Sequence, residues 1–272
     1  MITSTSNQQM KQIAQLMKKA KARNEQGVFV AEGKKMFLEA PEELLRQVYI
    51  SETCYRSLTQ GGQGEREQKL RERLEQTGYE VVSDAVFRSV ADTQTPQGVL
   101  CIVQKPVYGL SDLLRGERSH LLVLESIQDP GNLGTMIRTG EGAGLTGVVM
   151  NGTTVDFFNP KTIRSTMGSV YRVPFLVTEN LAETIMELRK HGIRIFAAHL
   201  KGQKAYDEPD YRGATAFLIG NEGNGLSEEI AALSDTYIKI PMEGRVESLN
   251  AAVSAALLMY EANRQRRKRE EA

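Results

Sequence analysis

Residues 216–226 read Ala216-Phe217-Leu218-Ile219-Gly220-Asn221-Glu222-Gly223-Asn224-Gly225-Leu226, an apolar run without polar alternation that breaks into a glycine-rich polar loop. A strand apolar on both faces is buried on both faces, the pattern of a parallel sheet covered by helices. The pattern recurs in Leu121-Leu122-Val123-Leu124, Gly147-Val148-Val149-Met150, Ile193-Arg194-Ile195-Phe196-Ala197-Ala198 and Tyr237-Ile238-Lys239-Ile240, all separated by helical patterns. Parallel neighbours need crossover connections, so this half is predicted to be α/β, a mostly parallel sheet flanked by helices. Ligands then belong at the carboxyl ends of the strands.

The first half reads as a smaller α/β domain. Ile13, Leu16, Met17 and Ala20 repeat with helical spacing across residues 7–24, with Lys11 and Lys18 off that stripe, and strand-like runs follow at 28–30, 48–50, 80–82 and 98–103. Gly61-Gly62-Gln63-Gly64 is a turn before a highly charged helix, 65–76, assigned to a solvent face. Residues 107–118 mix Gly, Ser and charge, as a linker does. The domains are therefore 1–106, the linker 107–118, and 119–272.

At 272 residues, 40% hydrophobic and 25% charged, the chain has the composition of a folded globular protein, which excludes disordered, collagen-like and coiled-coil classes. Two separated cysteines and three scattered histidines provide neither a disulfide framework nor metal-ligand spacing, so no metal is expected. No apolar run approaches a membrane span and the amino terminus lacks a signal-peptide core, so the expected compartment is the cytoplasm. The formal charge is zero, with 34 basic and 34 acidic side chains. The basic groups are nevertheless clustered: Lys11, Lys18, Lys19, Lys21 and Arg23 occur without an acid, and Arg264, Arg266, Arg267, Lys268 and Arg269 crowd together. Such clusters bind phosphates or simply solvate helix ends.

Three stretches place polar residues after strands of the second half. In the first, 129–140, Pro130-Gly131 turns the chain into a helix read as beginning at Asn132, with Arg138 six residues on. Arginine beside a strand end is a fork for phosphate or carboxylate; the plainer reading is an Asn cap followed by a solvated Arg. The second is the loop at Gly220 and Glu222, where glycines let a ligand touch backbone. Its glycine order is wrong for a dinucleotide fingerprint, and GxxxxGK[ST] is absent. The third, Ile240-Pro241-Met242 and then Glu247-Ser248-Leu249-Asn250, puts Ser248 at the start of a long helix with Leu249, Val253, Ala256, Leu257 and Tyr260 as its buried stripe. Ser248 is suited to capping or to anion binding, and Asn250 needs a hydrogen-bond partner if buried.

Together and in this order, the three stretches resemble the signature motifs of the SpoU (TrmH-type) branch of the SPOUT RNA methyltransferases, over about residues 119–264. Asn132 and Arg138 match the first motif, Gly220 and Glu222 the second, and Ile240, Pro241, Ser248, Leu249 and Asn250 the third. Residues 160–169 look like the segment that lies between the first two motifs. Arg23, Phe29, Glu32 and Gly33 look like the RNA-substrate-binding domain of many members. The resemblance implies S-adenosylmethionine-dependent methylation of a ribose 2′-hydroxyl in structured RNA, ribosomal in preference to transfer RNA, by a homodimer with a carboxy-terminal trefoil knot. It assigns the cofactor to Gly220, Ile240 and Leu249, and catalysis to Asn132, Arg138, Glu222, Ser248 and Asn250.

The resemblance makes Arg138 the catalytic arginine, cast as the base for the 2′-hydroxyl, yet a guanidinium is almost wholly protonated at neutral pH. The expectation is that Arg138 holds the neighbouring phosphate and the 2′-oxygen, with the proton passing to that phosphate or to an arginine whose pKa the site has lowered. Lys11, Lys18, Lys19 and Arg164 are expected to touch RNA phosphates. The competing readings are a non-catalytic RNA- or ribosome-binding protein with the same fold, and an α/β enzyme using another nucleotide.

Overall fold

The structure, a computed structural model, describes residues 1–60 and 64–270. It divides into two compact units, one of Met1–Val107 with Asp156–Tyr171 and the other of Tyr108–Val155 with Arg172–Ala272. Residues 156–171 thus cluster with the first unit, although they follow in sequence a strand of the second.

In the first unit β1 (Val28–Glu32), β2 (Leu45–Ser51), β3 (Glu80–Val82) and β4 (Val99–Gln104) form a sheet in the order β1-β4-β2-β3. β4 is antiparallel to both its neighbours and β2 is parallel to β3. Met10, Ile13 and Leu16 of the first helix bury their side chains in a core with Tyr49, Val82, Phe87 and Leu100. That helix does not run unbroken to residue 24. It ends at Lys18, Lys19 is extended (φ −123°, ψ 113°), and a second helix spans Ala20–Gln26. The break frees carbonyls that a continuous helix would use, and the buried Arg23 takes them, donating to Leu16 O at 2.5 Å and Met17 O at 3.3 Å while pairing with Asp156. Of the turn expected at 61–64, residues 61–63 lie outside the described residues. The charged helix Glu65–Thr77 buries only Leu70 and Leu74 and exposes much of the remainder, as expected.

In the second unit β5 (His120–Leu124), β6 (Gly147–Asn151), β7 (Phe175–Thr178), β8 (Arg194–Ala198), β9 (Lys204–Ala205), β10 (Thr215–Ile219) and β11 (Thr236–Lys239) are ordered β7-β6-β5-β10-β8-β11-β9. Every pair is parallel. β10 returns from the far edge to lie between β5 and β8, which sets its carboxyl end beside theirs at the middle of the sheet. β7 and β9 are edge strands too short or too polar to stand out as apolar runs. One core packs Leu121, Val123, Ile195, Ala197, Ala216 and Leu218 against Leu181, Ile185 and Leu188 of the helix Leu181–Lys190.

The carboxy-terminal helix, Ala251–Glu270, corrects two expectations. Its buried apolar residues are Ala252, Ala255, Leu258, Met259 and Ala262, whereas Val253 and Tyr260 are each 48% exposed. Residues 251–260 are apolar nearly all round, so periodicity does not select a face. Packing against the helix Pro130–Gly142 does: a Cβ on Gly140 would sit 3.3 Å from Met259 Sδ. The start is also later than expected. Asn250, not Ser248, caps it, its Oδ1 accepting from the N–H groups of Ala252 (2.9 Å) and Val253 (3.3 Å). In the basic cluster, Arg264 pairs with Glu261, and Arg266 donates to the carbonyls of Tyr211, Ser119 and Gly213. The side chains of Lys268 and Arg269 lie outside the described residues.

His120 is fully buried at the start of β5 against Phe217, with both ring nitrogens unpartnered among the described residues. Burial, helped by the Arg266 charge, pushes its pKa down from 6.5 to about 3. Between those values the unfolded chain binds a proton that the folded chain refuses, so stability falls as pH drops through this window, by up to about 1.4 kcal/mol per pH unit. His120→Leu is expected to flatten that acid limb in denaturant unfolding at pH 6.5, 5.5 and 4.5; an unchanged pH profile refutes the assignment.

Among the described residues no helix is long and apolar enough to cross a membrane, and no group of three or more His, Cys, Asp or Glu is disposed to hold a metal ion. Cys54 and Cys101 are buried free thiols.

Candidate active site

The site lies at the carboxyl ends of β8, β10 and β11. The first contributing loop follows β5. Asp129, rather than Asn132, caps the helix Pro130–Gly142: its carboxylate accepts from the Asn132 N–H at 2.8 Å, with Pro130 at the first helical position, where a missing N–H is harmless. Asn132 is therefore free to use its side chain elsewhere.

The second loop follows β10 and closes on itself, Asn221 and Gly225 exchanging backbone hydrogen bonds at 2.9 and 3.0 Å. A Cβ on Gly220 would overlap the backbone of Gly225 and Leu226, so only glycine fits. Asn221 organises the turn: its Oδ1 accepts from the N–H groups of Gly223 and Asn224, and its Nδ2 donates to Ser126 O at 2.9 Å. Behind it, Ser227 caps the helix Glu228–Ala232 and donates through both N–H and Oγ to Glu125.

A hydrogen-bond chain joins all three loops. Asn250 Nδ2 donates to Asn132 Oδ1 at 3.0 Å, and Asn132 Nδ2 donates to Glu222 Oε1 at 3.0 Å. The Glu222 carboxylate also accepts the N–H groups of Gln128 and Asp129, each at 3.0 Å. Burial by itself would raise this carboxyl; the Asn132 amide and the two backbone donors more than offset it, and the group lies below the usual carboxylate range. Glu222 is thus an ionised anchor, poorly suited to accept a proton.

Beside this chain is a cavity of about 250 Å³ whose wall includes Gly220, Glu222, Ile240, Ser248 and Leu249. Its ionisable lining consists of Glu222, Glu247, Lys239 and His199. The expected site residues therefore separate into two groups: Asn132, Glu222 and Asn250 in the hydrogen-bond chain, and Gly220, Glu222, Ile240, Ser248 and Leu249 around the cavity. Arg138 belongs to neither. It is exposed on the helix Pro130–Gly142 and has no hydrogen-bond or ion-pair partner among the described residues.

The RNA-contact candidates also differ. Lys11, Lys18 and Lys19 are exposed, with Lys11 and Lys18 on one helical face. Arg164, on the helix Pro160–Thr166, is ion-paired with Asp92. Other residues of the amino-terminal resemblance have internal roles: Phe29 packs on Phe158 with ring centroids 4.7 Å apart, and Glu32 accepts from the Asp92 N–H at 2.8 Å. Sequence reading missed Gln128, Asn221, and the cavity wall at Ala198, His199 and Leu200. The last was within reach, because these residues sit at the carboxyl end of a recognised strand.

The sequence pattern of the SpoU rRNA methylase family matches residues 119–260, and that of the MRM3-like substrate binding domain matches residues 7–101. The chain is 32% identical over 263 residues to a Bacillus subtilis protein named 23S rRNA (guanosine(2553)-2'-O)-methyltransferase RlmP, covering 95% of this chain and 97% of the relative. Its fold is similar to that of an rRNA methyltransferase from Sinorhizobium meliloti, with TM-score 0.82, 30% identity, and coverage of 97% of this chain and 96% of that one. The AdoMet-bound structure of a Sinorhizobium meliloti rRNA methyltransferase superposes with TM-score 0.81, also at 30% identity, covering 97% of both chains. With the matched stretch spanning all three loops of the site and more than half of the sequence, this chain belongs to the SpoU rRNA methylase family.

Proposed function

We propose that the protein transfers a methyl group from S-adenosylmethionine to a ribose 2′-hydroxyl of ribosomal RNA. The observation that carries this reading is the Asn250–Asn132–Glu222 chain, which ties three loops together beside one cavity. The cavity suits this cofactor. Gly220 brings backbone where a side chain would stand, Ile240 and Leu249 offer apolar wall, and Glu222 and Glu247 provide two carboxylates against the single ammonium of Lys239. That excess of negative charge favours a cationic sulfonium.

When bound, S-adenosylmethionine supplies an electrophilic methyl carbon. The chain supplies alignment, which is worth up to about 7–11 kcal/mol in favourable cases. Asn132 and Asn250 hold the first and third loops in register, and Glu222, saturated by its donors, fixes the second. Ser248 Oγ, exposed at the cavity wall, is available to orient the ribose. Arg138 is assigned to the phosphate next to the target sugar and to the 2′-oxygen, as a donor. The 2′-hydroxyl proton then leaves to that phosphate oxygen.

The reading includes a homodimer and the family's trefoil knot. Support for the dimer comes from the outward face of the carboxy-terminal helix, where Val253, Leu257 and Tyr260, with Thr135, line an open groove of about 460 Å³. Arg138 is one turn from Thr135 on the same helix, so a second copy covering this face would lie beside Arg138. Val253→Glu is expected to convert dimer to monomer in sedimentation and to abolish transfer; a fully active monomer overturns both points. The cytoplasm follows as the compartment from a ribosomal substrate.

Lys11, Lys18 and Lys19 are assigned to RNA phosphates. Reversing all three to Glu is expected to flatten the log–log salt dependence of RNA binding by about 2, at roughly 0.7 per single-strand contact. An unchanged slope removes the helix from the interface. The function itself is tested with methyl-labelled S-adenosylmethionine and two acceptors, 23S ribosomal RNA and total transfer RNA, followed by mapping of 2′-O-methyl nucleotides. Label on a ribose of ribosomal RNA supports the reading; label on neither RNA refutes it, and label on transfer RNA alone refutes the ribosomal assignment.

A further inference from the structure

We propose that a polar pocket in the first unit is a nucleotide subsite, taking one unpaired ribonucleotide of the substrate with its phosphate on Lys34 and Arg88. The inference rests on the RNA-methyltransferase reading and goes beyond it, because the pocket belongs wholly to the unit that lacks the cofactor cavity. Its volume is about 410 Å³, within the range of small-molecule sites.

Four segments build it: the start of the helix Lys34–Glu39, the chain from Ser51 at the end of β2 to Ser57, the helix Asp84–Val90, and the loop Gln94–Gly98 before β4. The loop is held in place. Gln97 Oε1 accepts from the Lys34 N–H at 3.0 Å, and Gly98, at φ +79°, packs so closely that a Cβ would lie 2.6 Å from Ser51 Oγ and 2.7 Å from Cys54 Cβ. Such a preformed wall binds without first ordering itself.

The charges favour an anion. Lys34 has no side-chain hydrogen bond or ion pair among the described residues, and Arg88 makes one hydrogen bond, from Nε to Asp84 O at 3.3 Å, so that its two terminal amino groups, although their charge also acts on the Asp84 carboxylate, have no hydrogen-bond partner; both side chains line the pocket. Asp84, the one carboxylate of the lining, is occupied by Thr53, whose N–H and Oγ1 donate to it at 3.1 and 2.6 Å. A lone phosphate would leave most of the volume empty. The rest of the lining matches a nucleoside: Gln94, Thr95 and Gln97 offer both donors and acceptors, and Phe87 and Pro96 offer apolar surface. Single-stranded RNA is read through bases splayed in this way, with phosphates bound by cations.

The test uses the full chain, a 23S ribosomal RNA transcript, and two variants. Lys34→Ala with Arg88→Ala is expected to weaken RNA binding on the order of tenfold and to flatten the salt slope by about 0.7, the share of the one phosphate that the two side chains hold. Ser57→Trp, at an exposed position on the pocket rim, fills the space without changing charge and is expected to weaken binding while leaving the slope unaltered. S-adenosylmethionine affinity and unfolding midpoint should be unaffected in both, which a merely structural role would not predict. If the parent chain binds and methylates the RNA while both variants bind as tightly as it does, the subsite is refuted and the methyltransferase reading stands. If the parent chain neither binds nor methylates ribosomal RNA, both are refuted.

Discussion

Arg138→Ala is expected to bind S-adenosylmethionine as tightly as the parent protein and to transfer methyl groups to ribosomal RNA at least about a hundredfold more slowly. The first half of that result follows from position. Arg138 is outside the cavity wall and outside the hydrogen-bond chain that joins the loops, so its removal disturbs neither. The second half follows from chemistry. In-line displacement is acutely sensitive to the placement of the attacking oxygen, and a guanidinium is suited to hold a phosphate and a neighbouring oxygen together. Arg138→Lys, keeping the charge but losing the planar fork, should recover only part of the rate. Isothermal titration with cofactor beside single-turnover transfer separates the two halves. Near-normal turnover in Arg138→Ala would remove the residue from the mechanism.

Gly220→Ala should have the opposite signature, abolishing cofactor binding. The added methyl group would overlap backbone atoms of Gly225 and Leu226, and backbone cannot swing aside as a flexible side chain can. The loop must therefore move, and it carries Asn221 and Glu222 with it. Overpacking of this kind costs about 1–3 kcal/mol in stability, so the variant should still fold. In the parent protein, S-adenosylmethionine at about 100 times its Kd should stabilise by about 2.7 kcal/mol; in Gly220→Ala that gain should vanish. A thermal shift equal to that of the parent would show that this turn is not part of the cofactor site.

The two variants differ because the Gly220 turn and Arg138 occupy different parts of the second unit. Glu222 illustrates the first. Its carboxylate accepts three donors from the segment 128–132, so its charge is spent on joining loops that are 90 or more residues apart in sequence. Asn250 extends that link to the third loop while capping the last helix, one amide serving two purposes.

The α/β class is legible in the residues alone, because continuous apolar runs such as 121–124 and 216–219 leave a chain no option but burial on both faces. The three loops are legible there too, since Gly220, Asn132 and Asn250 are residue types whose backbone freedom or amide chemistry matters wherever they are placed. Which partners those residues take depends on how distant segments pack. Asn132 reads as a cap until Asp129 is seen to occupy that role, and Ser248 reads as a cap until Asn250 does. The buried side of the carboxy-terminal helix is likewise set by packing: residues 251–260 are apolar almost throughout, and the contact of Met259 with Gly140 lies on the buried side, while Val253 and Tyr260 are left half exposed. Hydrophobicity measures how strongly a residue avoids water; the neighbour that shields it is set by shape, and shape is established only when distant segments pack together.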